Sequence, residues 1–187
     1  MKRLFTILFS LMLTVTLLAQ NDVTTFLGIP VDGSKAEFIQ KLMDKGFVMD
    51  YKLDMLTGKF NGRDSYINIS ENNGKVWRVS VIDKTSKDET QIKIDFNYLT
   101  ALFRQDGKYI GHDDNRMLDE SDHISYDVRI RHKQYQNVFY QKDISDKAID
   151  TNKTVWLLLN EISYGQYLLV IMYDNKYNED NGENLQI

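Results

Sequence analysis

The most constraining stretch of this chain lies near its C-terminal end. Val155 to Ile162 and Tyr167 to Tyr173 are nearly continuous apolar runs, separated only by Ser163-Tyr164-Gly165-Gln166. Their length and their content of Val, Ile, Leu and aromatic residues predict two strands of a hairpin. A strand with one wet face alternates apolar and polar residues. A strand without that alternation is expected to be covered on both faces. The fold must therefore supply cover on either side of this hairpin.

The rest of the chain supplies candidate layers. Ser34 followed by Glu37 makes a capping box. Phe38, Ile39, Leu42 and Met43 then recur at helical spacing up to a stop at Gly46. Alternation from Phe47 to Met55 predicts a half-buried strand, with turn signals at Thr57-Gly58 and Asn61-Gly62. Tyr66 to Ser70 and Val76 to Asp83 read as a hairpin across Glu71-Asn72-Asn73-Gly74, because Asn-Gly accepts the positive φ angles of tight hairpin turns. Within it Trp77, Val79 and Val81 should share one face, with Arg78 and Ser80 on the other.

A second helix is predicted from about Glu89 to Arg104, with Ile92, Phe96, Leu99, Leu102 and Phe103 on one stripe. Gly111 to Asp122 reads as an acidic loop. Ile124, Tyr126, Val128 and Ile130 alternate with polar residues and predict a strand, partnered by Tyr135 to Lys142. Ile144 to Asn152 reads as a loop, and the Asn-rich tail from Asn175 to Ile187 as frayed.

The order is helix then strands, given twice, as a diverged repeat would give it. It predicts an α+β domain, an antiparallel sheet with two helices packed on one face. No flexible linker divides residues 20–187, so a single domain is expected, entered through a segment, residues 20–33, that holds the only proline, Pro30.

The first residues have a different purpose. Lys2 and Arg3 precede an uncharged run from Leu4 to Leu18, and a cut after Ala19 completes the pattern of a signal peptide over residues 1–19. Thr6, Ser10, Thr14 and Thr16 dilute the run below what a spanning helix of ~20 apolar residues requires, and no second such run follows. The expected location is the periplasm or the exterior. The chain has no Cys, which excludes disulfides, thiol catalysis, cysteine-based metal sites and a lipid anchor on cysteine. The remaining 168 of 187 residues must be held by their core alone, and a domain of that size buries ~70% of its unfolded surface. Loss of Lys2 and Arg3 takes the net charge from −4 to −6. An acidic chain lacks the positive field on which nucleic-acid affinity rests.

The opening Gly28-Ile29-Pro30-Val31-Asp32-Gly33-Ser34-Lys35-Ala36-Glu37-Phe38, closed by Gly46-Phe47, resembles small exported proteins of unknown function from Gram-negative bacteria. The twice-given order of capped helix, glycine and antiparallel strands is also similar to beta-lactamase-inhibitor-protein-like domains and their outer-membrane-assembly lipoprotein relatives. That resemblance implies a protein that binds other proteins and catalyses nothing. The lipid-bearing Cys of the lipoprotein relatives has no counterpart here.

Candidate site residues are few. Arg129, Arg131 and Lys133, on one face of the expected strand, could hold an anion or an acidic partner. Tyr164, at the expected tip of the apolar hairpin, is the best candidate for an exposed aromatic contact. Asp113, Asp114, Asp119 and Asp122, with Asn115, Glu120 and the flanking His112 and His123, carry enough oxygen for calcium but lack a calcium-loop spacing. His112, His123 and His132 lack zinc-ligand spacing, and His132 should lie on a strand. Trp77 and Trp156 are expected in the core. There is no Gly-x-Ser-x-Gly elbow, no phosphate-cradling loop and no His-Glu-x-x-His, and no cofactor is expected. The resulting expectation is an exported, non-catalytic binding protein that meets a protein partner through its sheet face. The alternative is a ligand carrier or enzyme with a cleft between helices and sheet, for which His123, His132 and the acidic loop would be first suspects.

Overall fold

The computed structural model describes residues 23–142 and 149–179. The expected signal peptide with residues 20–22, residues 143–148 of the expected loop and the last eight residues of the tail lie outside the described residues.

The chain opens with a two-stranded ribbon, β1 (Thr25–Phe26) and β2 (Ile29–Pro30). Helix α1 (Lys35–Met43) follows, with the Ser34 hydroxyl accepting from the Glu37 amide, as the capping box requires. Strands β3 (Val48–Asp50), β4 (Met55–Phe60), β5 (Arg63–Asn72) and β6 (Lys75–Asp83) form a meander. Helix α2 (Glu89–Gln105) then leads to β7 (Tyr109–Gly111), a short helix α3 (Ile124–Ile130), and β8 (Gln136–Gln141), β9 (Lys153–Ser163) and β10 (Gln166–Asn175). A 3-10 turn covers Lys176–Asn178. Among the described residues no helix is long and apolar enough to cross a membrane.

One antiparallel sheet of eight strands runs β3-β4-β5-β6-β10-β9-β8-β7. The last strand of each half, β6 and β10, meets its counterpart at the centre, and the short β3 and β7 form the edges. Short edge strands offer little template for unwanted pairing. The architecture is the α+β antiparallel sheet that the order of elements predicts.

Residues paired across an antiparallel ladder point to the same side of the sheet. Leu56 pairs with Ile67, Ile67 with Val81, Val81 with Ile171, Ile171 with Leu157 and Leu157 with Asn137. This side is the core. Phe38 and Leu42 of α1, Ile92, Phe96, Leu99 and Phe103 of α2, Ile124 of α3 and Phe26 of the ribbon pack on it in one cluster.

Several local readings change in the fold. The alternation from Phe47 to Met55 is a hairpin rather than a strand: Tyr51 to Asp54 turn outward, with Asp54 at φ 53°. Gly58 lies inside β4 instead of at a turn, where the Phe47 ring covers it so closely that an added Cβ would sit 2.5 Å from the ring. A strand glycine beneath an aromatic ring is a packing device. Trp77 leaves the face it was expected to share, because the β5–β6 register shifts at Ser70/Glu71 and Val76 becomes the buried neighbour. The entry segment belongs to the core through Phe26, Ile29 and Val31. The start of the tail is also held. Asn175 is fully buried and donates to the Val31 carbonyl at 2.8 Å, and Asn178 donates to Asp32 and to the Val76 carbonyl.

The largest change is residues 124–130, which form α3 and not a strand. The His123 side chain does not cap this helix. Glu89, in the first turn of α2, does so from outside: its carboxylate accepts from the Ile124 amide at 2.9 Å and from the amide and hydroxyl of Ser125. His132, expected on a strand, sits at φ 52° just past the helix end.

Candidate binding face

The predicted cations are brought to one region, but not as a row on a strand. Arg129 projects from α3 onto the tip of the β9–β10 hairpin. It pairs with Glu161 at 2.8 Å and lies 4.0 Å over the ring of Tyr164. Tyr164 does occupy the hairpin tip and is 80% exposed. Arg131 pairs with Asp127 at 3.0 Å and stacks on Tyr126. Lys133 reaches Asp127 at 3.3 Å and the Tyr135 hydroxyl. Each of the three cations already faces a carboxylate, Arg129 across to the sheet at Glu161 and Arg131 and Lys133 at Asp127 of α3, so the group is not an open anion site. Hydrogen bonding to Glu161 raises the Arg129 pKa, and the same bond lowers that of Glu161.

The acidic residues go separate ways. Asp122 is buried, is clamped by both terminal nitrogens of Arg116 and accepts from the Asp119 amide. The Arg116 hydrogen bond, against the opposing effect of burial, holds the Asp122 carboxyl at about 2. Asp119 accepts from Ser121, Asp114 faces His112, and Asp113 is exposed. Among the described residues no three His, Asp or Glu side chains are placed to hold a metal ion.

The opposite side of the sheet is the feature that sequence reasoning only half anticipated. Tyr66 pairs with Ile82, Ile82 with Val170, and Val170 with Leu158. These four side chains therefore form an apolar row across β5, β6, β10 and β9. The next row is Met172, Trp156 and Val138, one on each of β10, β9 and β8. None of these seven residues belongs to the core cluster on the helical side. The three described helices and the ribbon pack on the other side.

Polar groups frame the rows. Arg78 makes a bidentate pair with Asp174, both bonds at 2.7 Å, and the Trp156 indole donates to the same carboxylate at 3.0 Å. The Lys84 ammonium lies 4.5 Å over Tyr66, and that of Lys176 6.0 Å from Trp156. Trp77, under the Arg78 guanidinium at 4.4 Å, is half-buried, as is Trp156. Neither tryptophan is the core residue that was expected. The arrangement is an aromatic and aliphatic surface with cations at its border, half-buried at Tyr66, Ile82, Val170, Trp156 and Val138 and buried at Leu158 and Met172. It has no nucleophile paired with a base.

Comparison with known proteins returned no match to a family model, to a curated protein or to a solved structure.

Proposed function

We propose that this is an exported, non-catalytic binding protein and that a partner protein supplies the layer missing from the open face of its sheet. One observation carries the reading. The β9–β10 hairpin is apolar on both sides, as a doubly covered hairpin is, yet the described helices cover only one side. Tyr66, Ile82, Val170, Leu158, Met172, Trp156 and Val138 make up the other. Interfaces favour such a surface, with aromatic, Met and Arg residues at the centre and charge at the rim. Lys84 and Lys176 at the border favour a partner that is apolar at its centre and carries carboxylates at its edge. Export rests on the residue 1–19 pattern, and the resemblance to inhibitor-protein-like domains points to the same class.

The test compares capture by the native chain with capture by an Ile82→Lys/Val170→Lys variant of unchanged circular dichroism. A recurrent envelope protein that the native chain binds and the variant loses by at least tenfold supports the proposal. Equal recovery by both, or no recurrent protein, counts against it. The intact mass of the recovered chain reads export at the same time: loss of residues 1–19 is expected, and a cytosolic chain retaining Met1 would contradict it.

A further inference from the structure

On the helical side, away from the open face, a cavity of about 570 Å³ opens between the ribbon, α2 and the β7–β8 edge. That volume lies within the range of small-molecule sites. Its walls are divided between apolar and polar groups, with Phe60, Leu99, Leu102 and Phe103 among the apolar ones. Tyr109, Gln141 and Tyr173 also line the space. Tyr173 is 4% exposed, so its ring forms part of the floor. None of His123, His132 or the acidic-loop residues lines the space. This cavity therefore lies apart from the residues first suspected for a ligand cleft.

Two features of the rim run against local stability. The ribbon turns through Leu27 and Gly28, at φ 51° and 76°. The same pair of positions in the other two such turns, Asn61-Gly62 and Asn73-Gly74, begins with Asn, which tolerates the left-handed region far better than Leu. Leu27 is nonetheless used, is 40% exposed, and lines the cavity. Its turn is held over the opening by Gln141, whose amide accepts from the Thr25 amide and donates to the Thr25 carbonyl, each at 2.7 Å. The second feature is a pair of like charges. The Lys142 amide donates to the Lys108 carbonyl at 2.9 Å, so two exposed lysines are neighbours in a lining where Asp106 is the single carboxylate. Departures from local preference gather at functional sites.

We infer that this cavity binds an amphipathic organic anion, its apolar body between Leu27 and the Phe60 and Phe103 rings and its anionic group at Lys108 and Lys142. The inference is independent of the open sheet face, which lies on the other side of the sheet. It makes Leu27 a residue kept for binding at the expense of its turn.

The probes are 8-anilinonaphthalene-1-sulfonate and its uncharged analogue N-phenyl-1-naphthylamine, titrated by fluorescence into the folded protein. Saturable binding of the sulfonate at one site is expected, with the neutral dye bound more weakly. Lys108→Gln/Lys142→Gln should weaken the sulfonate about tenfold and leave the neutral dye unchanged. Leu27→Asn should weaken both dyes at least fivefold while Tm holds or rises by about 2–4 °C. Absence of saturable binding overturns the inference. So do equal affinities for the sulfonate in the native chain and in both variants, which would place the dye elsewhere.

Discussion

Asp122 was one of several candidate oxygen ligands in an acidic loop, and its neighbours decide that it is a structural anchor. Arg116 grips both of its oxygens, and the Asp119 amide donates to it. Its carboxyl titrates at about 2 in the folded chain, below the ordinary 3.8. A carboxyl depressed in this way contributes stability that is complete above the unfolded value and is lost as pH falls through the folded one. The contribution is about 1–2 kcal/mol once solvent screening of the partly exposed Arg116 is allowed for. Urea titrations should therefore show stability falling between about pH 4 and pH 2, and Asp122→Asn should remove that part of the fall while lowering stability at pH 7 by a similar amount. An unchanged acid limb in the variant would show that the loss comes from other carboxylates. The sequence reveals an acidic loop; only the position of Arg116, six residues before Asp122, separates the clamped carboxylate from the free ones.

Elements show the same division. The Ser34–Glu37 box and the stripe of α2 are local signals, and both helices form where the signals lie. Helix α3 carries a strand-like alternation and lacks a side-chain cap of its own, so Glu89 must supply one from α2. Burial alone would raise the Glu89 carboxyl, but the hydrogen bonds from Ser125 and Ile124 outweigh it and lower the pKa. Glu89→Ala should cost about 1–2 kcal/mol, the usual range for a lost cap. Amide exchange at Ile124 and Ser125 should accelerate well before exchange in β9 or β10. Equal acceleration throughout would mean that Glu89 supports the whole fold and not α3. The Phe47 ring over Gly58 is a further case, since no turn rule or strand rule applied to either residue alone predicts the pairing.

At the scale of the molecule the two faces of one sheet differ in kind. Ile171 lies in the core cluster, and the adjacent Val170 lies on the open row. Ile171→Ala should cost about 2–5 kcal/mol, as deletions in packed cores do. Val170→Lys should leave thermal stability nearly unchanged, because no described layer has to be displaced to solvate the new charge. Thermal melts of the pair decide the matter: comparable losses would mean that the open face is packed in the free protein, and the reading of a missing layer would fall with it. The meander order, with β6 and β10 at the centre, puts the most apolar hairpin where its helical face is best covered and its other face is widest.

Composition, periodicity and caps were sufficient to determine an α+β antiparallel domain, its two main helices, the Asn73-Gly74 hairpin and an exposed Tyr164. Each of these depends on residues close together in the chain, where dihedral preference and side-chain spacing act directly. The tertiary structure decided the rest. It turned residues 124–130 into a helix through a carboxylate 35 positions away, distributed the acidic loop among separate partners, formed a cavity between the ribbon and α2, and left one side of the central hairpin without a helix among the described residues. These outcomes depend on which distant groups meet, and hydrophobic periodicity records that a face is to be covered without recording what covers it.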